Sequence, residues 1–231
     1  MQIIWHGQSC FEILATPAKN SQIKIVVDPF FEETGLRIPR LEADILISTR
    51  SDYDHNSIKE ISGNTSAVSK KAPFLIYGPG EYEIKNIFIQ GIASSAVNAL
   101  PGKDKKVKER GEKTIYIVEA EDLKICHLGD LNQKELTEDQ LEKIGEIDVL
   151  MIPVGDLYTL SAKEALKIMA QIEPKITVPM CYALPKLKVK FDGLDKFLKS
   201  LGVKSIEPLS KLVVKKKEIS TEEAKIAVLK P

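Results

Sequence analysis

The stretch ILISTRSDYDHNSIKE, residues 45 to 60, sets Arg50, Asp52, Asp54 and His55 directly behind an apolar run. Carboxylates and an imidazole at this density can bind a divalent cation, activate a water or accept a proton. The same residue types also end strands and cap helices, and Asp54 and His55 could simply cap a helix over NSIKEIS. Three further apolar runs discharge a metal-capable group in the same way: IVVDPF at Asp28, CHLGDL at Asp130 and VPMCY at Cys181. One aspartate after a strand is ordinarily a turn or cap residue. Four such places in one chain point to a shared site, because ligands collect beyond the carboxyl ends of buried strands.

These residues need strands to position them, and the sequence supplies them. QIIWH, SCFEIL, IKIVVDP and ADILIST are short, β-branched or aromatic runs bounded by turn residues. PFLIYG, EYEIKN and IFIQGI continue the pattern, with GPG at 78 to 80 as a tight turn. In the second half TIYIVEA, LKICHLG, DVLMIPV and KITVPM predict strands, and the unbroken apolar run of DVLMIPV predicts a strand buried on both faces. TEDQLEKIG predicts a helix capped by Thr137, and SAKEALKIMAQI one opened by a Ser161–Glu164 capping box. GLDKFLKSLG predicts a helix stopping at Gly202, and KLVVKKKEI and KIAVLK two closing strands. The charged stretch from 101 to 113 predicts a solvated loop. No repeat or linker divides the chain, so one domain over 1–231 is expected, with helices outside buried sheets.

WHGQSCFEI, VVDPF, ADILISTRSDYDHN, GPGEYEI, CHLGDL, DVLMIPVGDLYTLSAKEA and PKITVPMCY together resemble the metallo-β-lactamase fold superfamily. The nearest likeness is to its small branch of zinc-dependent hydrolases, distantly related to the ascorbate-lactone hydrolases. The resemblance runs nearly end to end and implies an α/β, four-layer αββα sandwich with metals at the sheet edges. The hallmark of the superfamily is T-H-x-H-x-D-H; this chain reads T-R-S-D-Y-D-H from Thr49 to His55. Arg50 and Asp52 replace two histidines, a third is due near Ala96, and the last metal histidine is replaced by Cys181. With only His6, His55 and His127 in the chain, no other histidines can stand in.

Sorted by metal, these departures are uneven. The first site would use positions 50, 52 and 96 with Asp130, and an arginine cannot deprotonate to ligate a metal. Its guanidinium is expected to occupy that space and pair with Asp52 and Asp130. The second site would use Asp54, His55, Asp130 and Cys181, a set suited to Zn²⁺. One zinc at most is therefore expected, or none. The leading expectation is a hydrolase homologue that is impaired or binds a ligand or partner without catalysis. The alternative is a mono-zinc hydrolase of an ester, lactone or phosphoester, with Asp52 or Asp130 as proton acceptor. Asp28 is expected to support the metal loop by hydrogen bonds.

Plainer roles are open to the same residues. Asp130 could serve Arg50 alone, Cys181 could be an inert core thiol, and His127 is expected to be structural. Tyr182 and Tyr158 could line the pocket, although burial is the simpler reading. Lys plus Arg is 33 and Asp plus Glu is 33, so no bulk charge favours nucleic acid or a membrane surface. A small-molecule ligand is the expected partner, and a homo-oligomer is compatible with the chain. Three widely spaced cysteines, no signal-peptide pattern and no membrane-length apolar run lead to a cytoplasmic expectation.

Overall fold

In the computed structural model the described residues are 1–18, 21–30, 34–37, 39–50, 62–63, 72–94, 113–219 and 223–231. Alternating side chains set the first strands. β1 (Gln2–Gly7) buries Ile3 and Trp5, and β2 (Cys10–Ala18) buries Phe11, Ile13 and Ala15. With β3 (Ser21–Val27) they form an antiparallel meander. β3 continues in parallel to β5 (Ile45–Ser48) and then to β7 (Phe74–Tyr77). The short strand β14 (Leu212–Val213) closes the other edge against β1. β4 (Glu42–Ala43) and β6 (Ser62–Gly63) form a small separate pair.

The second sheet has the order β15-β13-β12-β11-β10-β9-β8. Its antiparallel part is β8 (Gly80–Ile84), β9 (Ile87–Ser94), β10 (Lys113–Ala120) and β11 (Leu123–His127). Its parallel part runs from β11 through β12 (Val149–Pro153) and β13 (Ile176–Met180) to β15 (Lys225–Ile226). The expected tight turn at GPG joins the two sheets. It carries the chain from β7 in one sheet to β8 in the other. Tyr116 Oη donates to Gly78 O at 2.9 Å and ties the turn down. One apolar cluster joins the facing sides of both sheets, with Trp5 against Tyr182 and Phe11 edge-on to His127.

Helices α1 (Glu138–Ile144), α2 (Ala162–Ile172) and α3 (Leu194–Ser200) all follow strands of the second sheet. Thr137 and Ser161 each close a full capping box, with Gln140 and Glu164 reaching back. α3 ends before Gly202, whose φ of +72° turns the chain away. The fold is thus two mixed sheets stacked face to face, with helices outside, as in the α/β sandwich. The predicted closing strands are shorter than expected. KLVVKKKEI pairs only over Leu212–Val213 and then makes a 3-10 turn at Lys216–Glu218, where three consecutive lysines stay in solvent.

Two aspartates repeat one device in the two sheets. Asp44 N–H donates to Lys24 O at 2.9 Å, and its carboxylate accepts from Lys24 N–H at 2.9 Å. Asp148 does the same to Lys124, at 3.0 and 2.9 Å. Each carbonyl then receives the first N–H of the next parallel strand, Phe74 or Ile176, at 2.9 Å. Each aspartate thus sets the register of three parallel strands, and so the level at which their carboxyl ends stop.

Candidate metal and substrate site

Those carboxyl ends meet. β3 ends at Asp28, β5 at Thr49 and Arg50, β11 at Leu128–Gly129–Asp130, and β13 at Cys181. The sheets are stitched together here: Thr114 N–H donates to Thr49 O at 2.8 Å, and Arg50 pairs with Lys113 in an isolated antiparallel bridge.

Asp28 is 6% exposed and has a φ of +46°. Its Oδ1 accepts from Thr49 N–H at 2.7 Å and its Oδ2 from Thr49 Oγ1 at 2.5 Å. Burial pushes its carboxyl up to about 7, against the opposing pull of the Thr49 hydrogen bonds. The expected supporting role thus takes a definite form: Asp28 clamps the residue before Arg50. Gly129 packs directly on that clamp. At a φ of +56°, a Cβ there would lie 2.4 Å from Thr49 Oγ1.

Arg50 Nη1 lies 3.5 Å from Asp130 Oδ2, with the arginine side chain about one third exposed. Lys113, only 4% exposed, donates through Nζ to the main-chain oxygen of the same Asp130. On the other side of Asp130, Cys181 Sγ lies 3.7 Å from Oδ1. Cys181 is buried, holds a φ of +54° and donates its N–H to Gln8 O at 3.3 Å. Burial raises its thiol well above the ordinary range, and the charges of Asp130 and Asp28 add to the rise. It therefore stays protonated unless a cation takes the proton's place.

His127 is fully buried and is no ligand in this arrangement. Its Nδ1 accepts from Gly129 N–H at 3.0 Å, which leaves Nε2–H to donate to Ser9 O at 3.0 Å. Burial lowers its pKa to about 4, so it is the neutral tautomer that props up the Gly129–Asp130 turn. Among the described residues, two buried polar atoms next to these strand ends have no hydrogen-bond partner: Gln8 Nε2 and Asn132 Oδ1.

Of the residues expected at the site, Asp28, Arg50, Asp130 and Cys181 are brought together. Asp52, Asp54, His55 and Ala96 lie outside the described residues, as do the helix expected over NSIKEIS, apart from Ser62, and the loop from 101 to 112. Lys113 departs from expectation: it is the buried first residue of β10, held by the bridge to Arg50, and not the end of a solvated loop. Tyr182 is buried and donates to Leu229 O at 3.2 Å. Tyr158 is exposed, because it stands in the turn before α2 rather than under it. Thr49, Gly129, Lys113 and Ser9 were not singled out by sequence. Gly129 between a buried strand and an acid was the available signal.

Two described donors, Asp130 and Cys181, are close enough to share a metal ion. A tetrahedral zinc, about 2.3 Å from a thiolate and about 2.1 Å from a carboxylate oxygen, sets those donors ~3.6 Å apart. Asp130 Oδ1 and Cys181 Sγ already stand at 3.7 Å. The other carboxylate oxygen of Asp130, Oδ2, faces the Arg50 guanidinium at 3.5 Å. Among the described residues no three His, Cys, Asp or Glu side chains gather, so any ion here needs donors from beyond them.

A family model described as the beta-lactamase superfamily domain matches residues 2–181. A UPF0173 metal-dependent hydrolase of Enterococcus faecalis is 30% identical over 207 residues, 79% of this chain and 86% of that protein. One from Methanopyrus kandleri is 23% identical and spans 88% of this chain and 94% of its own. A solved metallo-β-lactamase superfamily structure from Thermotoga maritima superposes with a TM-score of 0.74 and 30% identity, over 99% of this chain and 98% of that one. An isothiocyanate hydrolase from Delia radicum gut bacteria shares the fold alone, at 12% identity and a TM-score of 0.62. The strand ends, the Asp130 turn and these likenesses agree, and the chain belongs to the UPF0173 metal-dependent hydrolase family of the metallo-β-lactamase superfamily.

Proposed function

We propose that this chain is a family member that has exchanged the first metal for an internal cation. It is hydrolytically impaired, or it binds a small-molecule ligand or partner without turning it over. One observation carries this reading: Arg50 Nη1 stands 3.5 Å from Asp130 Oδ2, at the position where the superfamily pattern expects the first histidine. A guanidinium cannot ligate a metal, and two cations sharing one carboxylate repel each other. Metal analysis after zinc loading tests it, on protein purified without nickel affinity. At most one ion per chain is expected, and two ions per chain would overturn the reading.

The 3.7 Å approach of Cys181 to Asp130 favours a second reading, a mono-zinc hydrolase of an ester, lactone or phosphoester. Asp54, His55, Asp130 and Cys181 would hold the ion, which when bound supplies Lewis acidity and a water of lowered pKa. The chain's own contributions are then distinct. Asp52 or Asp130 accepts a proton, Arg50 holds an anionic group or a developing oxyanion, and the Asp28–Thr49 clamp fixes Arg50 in place. One zinc that disappears in Cys181→Ala, together with hydrolysis lost in the same variant, is the outcome this reading expects. Protein that takes up no zinc on loading removes it. Among the described residues no helix is long and apolar enough to cross a membrane.

A further inference from the structure

The chain is neutral as a whole, but its charges are sorted along it. Residues 113–148 carry ten acidic residues against four lysines. Residues 186–217 carry ten lysines against three acidic residues. The fold brings both excesses to one layer. The crossovers from β11 to β12 and from β12 to β13 set α1, α2 and α3 in that order across the second sheet, and α2 packs against both neighbours.

α1 is the acidic side of this layer. Gln140 and Ile144 face the core, which turns Glu138 and Glu142, one helical turn apart, to solvent on the opposite side. Glu146, just past the helix, is exposed as well. None of the three carboxylates has a cationic partner among the described residues.

α3 is the basic side. A groove of about 400 Å³ opens between it and the first turn of α2, and Lys163, Lys196, Lys199, Ser161, Ser200 and Asp192 line it. Lys196 is bound to Asp192 at 2.7 Å. Lys163 and Lys199 are exposed and have no acidic partner among the described residues. The groove borders the candidate site. Asp192 N–H donates to Gly155 O at 2.8 Å, and Asp192 O accepts from Ala183 N–H at 2.9 Å. Gly155 in turn lies against Cys181, where a Cβ would sit 1.9 Å from the Cys181 carbonyl oxygen.

The acidic stripe and the lysine groove are thus left unpaired within one molecule, and a second copy offers the complement of each. We propose that this helix layer is a dimer surface: Glu138 and Glu142 of each copy seat at the Lys163–Lys199 groove of the other across a two-fold axis. One rotation makes both contacts, as an isologous interface requires. The second copy then stands beside the loop that leaves Cys181, whether or not the site holds a metal. Exposed charges drive the association, so salt weakens it.

The test is sedimentation velocity of the full chain in about 20 mM and about 500 mM sodium chloride, between which the screening length falls from ~20 to ~4 Å. A dimer in low salt and a monomer in high salt are expected. Glu138→Lys with Glu142→Lys, and Lys163→Glu with Lys199→Glu, should each raise the dissociation constant by at least about tenfold. All four positions are exposed, so the fold is not at stake. An equimolar mixture of the two double variants should restore a one-to-one dimer, because both contacts are again between opposite charges. A monomer in low salt overturns the proposal, including one that instead sediments with vesicles of anionic phospholipid, which would assign the groove to a lipid surface. A dimer that survives high salt or either charge reversal overturns it, as does a mixture that stays monomeric. Assemblies larger than two overturn the two-fold arrangement.

Discussion

The Asp28–Thr49 clamp predicts an unusual dependence of stability on pH. Asp28 is a buried carboxyl held at about 7, against an ordinary value of 3.8. The folded chain therefore keeps a proton between those values that the unfolded chain releases. At about 1.4 kcal/mol per pH unit, Asp28 contributes ~4 kcal/mol of stability that is fully present below pH 4. That contribution is lost as pH rises toward and through 7. Most buried aspartates act in the opposite direction, because a salt bridge lowers their pKa.

Asp28→Asn isolates the effect. The amide oxygen can accept from Thr49 N–H as Oδ1 does, and the amide nitrogen can donate to Thr49 Oγ1, whose hydroxyl then turns to accept. The clamp survives without a titrating group. Urea unfolding of both proteins, with chelator present, is measured in steps from pH 4 to 8.5. The variant should match the native chain near pH 4 and exceed it by ~4 kcal/mol near pH 8.5. A difference that stays flat across this range would show that Asp28 is ionised throughout, and would refute the argument from desolvation. A native chain that gains on the variant as pH rises would reverse its sign.

His127 supplies the opposite limb. Held at about 4 against an ordinary 6.5, it contributes ~3 kcal/mol that is present above pH 6.5 and lost as pH falls through 4. His127→Leu should flatten that limb in the same urea series, at the cost of leaving Ser9 O and Gly129 N–H without a partner. Gly129→Ala should cost at least ~2 kcal/mol in thermal or urea unfolding, because the new methyl strikes Thr49 at a positive φ. Gly202→Ala has a positive φ and open space, and should cost only ~1 kcal/mol; equal losses in the two would remove the steric argument. Gln140 donates to Ala93 O at 2.9 Å, exchanges bonds with Gln133 and accepts from Thr137 N–H. Gln140→Leu should therefore lose about 3 kcal/mol by the same assay, and a loss below ~1 kcal/mol would refute its role as a hub between α1 and β9.

Much of this site could be read from residue order, because strands of buried type announce themselves and the residue that ends each one is then known. Asp28, Arg50, Asp130 and Cys181 were found in this way, and a repeated polar ending after an apolar run is a local signal. The capping boxes at Thr137 and Ser161 were legible for the same reason: donor and acceptor lie within one turn. Lys113 was not legible, because its partner is Arg50, more than sixty positions away. A lysine after a charged stretch resembles every other exposed lysine until the bridge between the sheets buries it. The GPG turn was legible as a turn, but its residues do not state which sheet receives the chain.

The same distinction explains why the superfamily pattern alone is a poor guide to what this chain does. A motif records which positions face the site, and those positions are fixed by register, here set by Asp44 and Asp148 at the far ends of the strands. Register survives substitution of the residues it presents. Arg50 can replace a histidine and still be delivered to Asp130, because Thr49 is clamped by Asp28 and covered by Gly129 whatever follows it. A scaffold that positions by main-chain geometry can present a different side chain at the same strand end without refolding, which is what the proposed exchange of a metal for Arg50 requires. A substituted motif position and a lost site are separate matters, and the proposed function rests on the charges that the strand ends present.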